Sequence, residues 1–139
     1  MTAERSFPCT PTAVGDARRF VRDLLREQPT ETAELAELMA SELATNCVQH
    51  AHTLFEVSVS IGKEIRVEVR DTGEGGPRRM SPTPHDLSGR GLMIVESMSD
   101  RWGVVTRSAG KTVWFTLPVA RRDVKARRTG SRPADPTPR

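Results

Sequence analysis

Cysteine is scarce. Cys9 and Cys47 are the only two in 139 residues, and they match neither a disulfide framework nor a four-ligand zinc site. Reduced thiols in a cytoplasmic setting are the expectation. Long apolar runs are missing too: charges interrupt every candidate before the roughly 18 residues a membrane helix needs. The opening MTAERSFPCT has no apolar signal-peptide core, so neither export nor a membrane partner is expected. Lysine is nearly absent, three residues against 18 arginines. The net charge of +3 is unevenly placed, because residues 120–139 carry seven basic and two acidic side chains. The remainder is slightly acidic, which excludes a basic nucleic-acid-binding module in the globular part. The tail is short and has no interleaved aromatics to stack bases, so direct nucleic-acid binding is not expected of it either.

What is present reads as one domain over residues 1–119, long enough to bury a core. Its tail, 120–139, is rich in Arg, Pro, Ser and Thr and is expected to be disordered. Arg5 to Cys9 reads as a short extended edge piece with Pro8 inside it. Thr10-Pro11 looks like a helix start, and Val14, Ala17, Phe20, Val21, Leu24 and Leu25 follow at helical spacing up to Pro29. Thr30 is placed to cap a second helix, which carries Leu35, Leu38, Met39 and Leu43 and runs to about Ala51. Phe55 to Ile61 and Ile65 to Val69 alternate apolar with polar and form an antiparallel hairpin ending on Asp71. Thr72 to Ser88 holds three glycines, three prolines and no apolar period, the pattern of a long functional or mobile loop. Gly89 to Met98 returns to helical spacing, and Trp102–Thr106 with Thr112–Leu117 makes a last hairpin. The expected fold is α+β: a two-layer sandwich in which three helices cover one face of a mostly antiparallel mixed sheet.

Three polar features stand out against this frame. Glu42 and Asn46 lie one turn apart on one side of the second helix. They read either as a solvated pair or as groups awaiting a buried partner, since burial without partners is costly. Asp71-Thr72-Gly73-Glu74-Gly75 is a D-x-G-x-G at a strand end, a pentad arising by chance in roughly three chains in a hundred of this length. It is either a tight turn or a site where a carboxylate accepts from an exocyclic amino group while glycines admit a planar ligand. Gly89-Arg90-Gly91-Leu92 opens a helix. It is either a plain helix entry or a phosphate site built from backbone N–H groups and the helix dipole, with Arg90 adding charge.

Taken in order, the Glu-x-x-x-Asn helix, the D-x-G-x-G strand end, the Pro-containing loop and the G-x-G-L helix start resemble the Bergerat-fold ATP-binding domain shared by gyrase, MutL and histidine kinases. Gly89 to Val104, GRGLMIVESMSDRWGV, resembles most closely the bacterial anti-sigma factor/serine-protein kinase family. The resemblance spans about residues 5–118. It implies ATP and Mg²⁺ as ligands, with Asn46 on the metal through its side-chain oxygen, as a hard cation prefers. It implies Glu42 as general base, Asp71 reading the adenine amino group, Gly73 and Gly75 shaping the base pocket, and Gly89, Arg90, Gly91 and Leu92 along the phosphates. It further implies a serine/threonine protein kinase acting on an anti-anti-sigma (STAS-type) protein, sequestration of a sigma factor, and homodimers. The competing expectation is a non-catalytic ATP/ADP-binding module that grips a protein partner. Glu74 to Ser88 is shorter than the lids of larger Bergerat ATPases. His50 and His52 cannot face one way on a helix, so His50 is expected to pack or hydrogen-bond behind the site. His85 and Asp86 receive no role.

Overall fold

The structure is a computed structural model, which describes residues 1–51, 53–72 and 89–120. In chain order the elements are β1 (Thr2–Phe7), α1 (Pro11–Leu24), α2 (Thr30–Asn46), a π-helical turn (Cys47–Ala51), β2 (Phe55–Ile61), β3 (Glu64–Asp71), α3 (Gly89–Met98), β4 (Arg101–Arg107) and β5 (Gly110–Pro118). The strands form one sheet in the order β1-β2-β3-β5-β4, and all four ladders are antiparallel. This is the α+β sandwich expected, with three helices and an antiparallel sheet of the Bergerat type. No helix among the described residues is long and apolar enough to cross a membrane.

The first strand starts and ends earlier than its sequence pattern suggests. It pairs from Thr2↔Ser60 to Phe7↔Phe55, and Pro8, with no N–H to give the ladder, lies just past its end. The rings of Phe7 and Phe55 stack with centroids 5.4 Å apart. Thr10 then caps α1 by accepting from the Ala13 N–H at 3.3 Å, with Pro11 in the first turn where its missing donor is not needed.

Helix α2 departs from expectation in two ways. Its N-cap is Pro29, with no side-chain cap bond, and Thr30 is already helical; the Ala33 N–H reaches the Pro29 carbonyl at 3.0 Å. Its inward face is also made of smaller residues than the leucines suggest. Ala33, Ala36, Met39, Ala40, Leu43 and Ala44 are buried, whereas Leu38 is 37% exposed and Leu35 only partly covered. Alanine is the strongest helix former, and here it also sets how closely α2 lies to α1 and the sheet.

On the sheet, Val57, Val59, Ile65, Val67, Val69, Val113, Phe115 and Leu117 point into the helix layer and are buried, the period-two signature of a half-covered sheet. The opposite face is polar: Arg66 lies 4.1 Å from the Trp114 ring centroid, and Arg70 pairs with Glu56. Gly110 closes the β4–β5 hairpin at φ 118°, where a side chain would be strained.

Charge also ties α1 to α2, through Glu37 with Arg22 and, at 3.8 Å, with Arg18. Glu37 is 7% exposed and accepts from Arg22 Nε at 3.0 Å and Nη2 at 2.9 Å, a two-pronged grip suited to guanidinium and carboxylate. The same hydrogen bonding raises the Arg22 pKa further above its ordinary value. Because Arg22 is half exposed, its guanidinium regains water when the partner is lost. Glu37→Ala is therefore expected to cost about 1–2 kcal/mol, read from the midpoint of a urea titration.

Candidate functional site

The site forms where the C-terminal half of α2 meets the end of β3. The inward alternation Ile65, Val67, Val69 continues to Asp71, so this carboxylate ends beneath the helices and is 6% exposed. Opposite it, α2 widens into the π turn at Cys47, a distortion often found at functional positions. Between them lies a cleft of about 320 Å³, counted with its open mouth, lined by Leu43, Asn46, Cys47, Val69, Asp71, Leu92, Lys111 and Val113. The room in it for the centre of a water-sized sphere is only about 20 Å³, enough for about one water.

Gly91 explains why α3 belongs to this site. A Cβ there would sit 3.2 Å from Asn46 Nδ2 and 3.3 Å from Glu42 Cβ. The bare backbone lets the first turn of α3 rest on the Glu42–Asn46 turn of α2. The second glycine of Gly89-Arg90-Gly91 thus has a packing reason independent of any phosphate.

The structure therefore gathers Asn46, Asp71, Gly91 and Leu92. Glu42 is adjacent but opens elsewhere. It lines a second cleft, of about 1310 Å³ counted in the same way with its open mouth, between α1 and α2, together with Arg18, Arg22, Arg26, Glu34 and Glu37. Gly89 and Arg90 begin α3, with the Arg90 side chain outside the described part. Gly73, Gly75, His52, His85, Asp86 and the tail from residue 121 onward lie outside the described residues. His50, expected to pack or hydrogen-bond behind the site, is exposed on the π turn.

Two lining residues escape the motif reading. Lys111 places Nζ 3.6 Å from Asp71 Oδ2 with its side chain 22% exposed. Its signal is present in the sequence: Lys111 shares the inward period with Val113, Phe115 and Leu117 on β5. Cys47 has no such signal beyond the helical period. Burial pushes its thiol up to about 12, with Asp71 adding to the rise and Lys111 opposing it. At neutral pH Cys47 is therefore a protonated packing group and not a nucleophile. Among the described residues no group of three or more His, Cys, Asp or Glu could hold a metal ion. A cation here would depend on Asn46 together with oxygens brought by a ligand.

A buried carboxylate and an amide thus face one open cleft at the end of a helix-covered antiparallel sheet. The histidine kinase-like ATPase domain model matches residues 7–117, and the chain belongs to that family. The fold is similar to the crystal structure of the RsbU and RsbW domains of a Mycobacterium tuberculosis protein. The TM-score is 0.68 at 18% identity, covering 87% of this chain and 33% of that one. The present chain thus spans about a third of that relative. A search of the curated proteins by sequence finds no match.

Cys9 is partly exposed, its Sγ donating to the Val48 carbonyl at 3.6 Å. Iodoacetamide at pH 8 is expected to label Cys9 and spare Cys47 in the folded protein. Comparable labelling of both thiols by peptide mass spectrometry would show Cys47 to be accessible after all.

Proposed function

We propose that this chain is an ATP- and Mg²⁺-dependent regulator of the anti-sigma type: a cytoplasmic serine/threonine protein kinase that phosphorylates an anti-anti-sigma (STAS-type) partner, sequesters a sigma factor, or does both. The observation that carries this reading is the shared cleft of Asp71 and Asn46, with Gly91 seated on the Glu42–Asn46 turn. Asp71 offers an acceptor to the adenine amino group, and the apolar walls at Val69, Leu92 and Val113 suit a flat aromatic base. Asn46 offers a side-chain oxygen to Mg²⁺, which when bound neutralises phosphate charge. Gly73, Gly75, Gly89, Arg90 and Leu92 complete the nucleotide contacts in this reading. The family membership and the similarity to the RsbU and RsbW domain structure support it.

Glu42 acts as the base. Its carboxylate takes the proton of the partner's serine hydroxyl as the oxygen attacks the γ-phosphorus; the bond to the β-phosphate oxygen breaks, and ADP and phosphoserine result. Glu42 opens onto the α1–α2 cleft and does not line the Asp71 cleft. The same separation of Glu42 from the Asp71 cleft favours a second reading, a non-catalytic ATP/ADP clamp that grips its partner.

Glu42→Ala separates the two. In a transfer assay with labelled ATP and the recovered partner, the kinase reading expects ATP binding to persist and transfer to fall by at least a hundredfold. Transfer at wild-type level would exclude Glu42 as base. Asp71→Asn is expected to weaken ATP at least tenfold by calorimetry, with a much smaller change in melting temperature; an unchanged ATP titration would remove Asp71 from the base pocket.

A further inference from the structure

Lys111 has no part in the reading above. Continuing the β3–β5 register past Arg70↔Thr112 puts it directly across from Asp71. A lysine at a sheet end ordinarily extends its ammonium into water. This one is 22% exposed and stops 3.6 Å from Asp71 Oδ2, beyond hydrogen-bond length, in the cleft both residues line. Among the described residues its Nζ makes that ion pair and no hydrogen bond. Three donors on a partly covered cation are thus available to whatever enters the cleft.

We infer that Lys111 and Asp71 read the base together, which rests on the proposal that adenine lies at Asp71. Asp71 accepts from the exocyclic amino group, and Lys111 donates to a ring nitrogen flanking it, N1 or N7. A donor and an acceptor side by side match the alternating acceptor and donor along that edge of the purine. An apolar cleft makes both contacts count, since water competes poorly there. Lys111 is on this view a specificity-determining residue that a carboxylate alone would not replace.

The test is calorimetric binding of ATP, 1-deaza-ATP and 7-deaza-ATP, each analogue having CH in place of one ring nitrogen, to the full chain and to Lys111→Met. The substitution is expected to weaken ATP about tenfold, the scale of one hydrogen bond to a charged donor. One of the two analogues should bind the wild type more weakly by a similar factor and lose nothing further in Lys111→Met, because the same bond is already missing. Which analogue behaves so tells N1 from N7. Lys111→Arg keeps the donor and should keep most of the affinity, and melting curves check that each variant is folded. Unchanged or tighter ATP binding by Lys111→Met overturns the inference, since the ammonium would then be only a counter-charge to Asp71. Equal weakening of all three nucleotides overturns it as well, and so does wild-type protein that binds both analogues as well as ATP. Asp71→Asn distinguishes the two levels of failure. Unchanged ATP affinity in that variant removes adenine from the cleft altogether. A loss there with none in Lys111→Met removes only the role of Lys111.

Discussion

Close packing of α2 is the constraint on which the rest of the molecule depends. Ala33, Ala36, Ala40 and Ala44 face inward, so the helix lies nearer its neighbours than leucines at those positions would allow. Gly91 continues the same logic onto α3, where one added methyl would stand 3.2 Å from Asn46. Glu42 and Asn46 share the turn of α2 on which α3 rests. Their position between two clefts follows from that contact, because neither cleft exists without the helix layer held down on the sheet.

Among the described residues, the two buried carboxylates show how the layer treats charge. Glu37 is gripped by both prongs of Arg22 at 2.9 and 3.0 Å, and the arrangement fastens α1 to α2. Asp71 faces Lys111 across 3.6 Å, a pair held by charge without a hydrogen bond between the two. Tight, satisfied pairs rigidify a fold, whereas a loose pair facing an open cleft keeps its hydrogen-bonding capacity for a ligand. The tight pair lies on the helix–helix seam and the loose pair at the sheet end. Cys47, pushed up to about 12 by the same burial, adds bulk to the cleft wall and no reactivity.

Much of this architecture was legible in the chain. Period-two runs gave the four longer strands, and Thr10-Pro11 gave the start of α1. Of the residues in the Glu-x-x-x-Asn, D-x-G-x-G and G-x-G-L spacings, Asn46, Asp71 and Leu92 line one cleft, and Gly91 packs against Asn46. What failed has local causes. Pro29 displaced Thr30 as cap because its own fixed φ already delivers the carbonyl that Ala33 needs. Leu38 was assigned inward because hydrophobicity outranks alanine in a periodic pattern, although alanines leave room for closer packing. The exposed place of His50 lies on a π turn, which nothing in a helical pattern announces.

Local chemistry, written in the order of residues, determined which segments are helix or strand and which side chains share a turn or an alternating face. That information is contained in repeat distances of a few residues. Tertiary structure decided what those faces meet. The register between β3 and β5, strands not consecutive in the chain, set Lys111 opposite Asp71. The seating of Gly91 left Asn46 facing the Asp71 cleft and Glu42 facing the groove beside α1. Both outcomes come from burying a two-layer core as a whole, and no short stretch of sequence carries them.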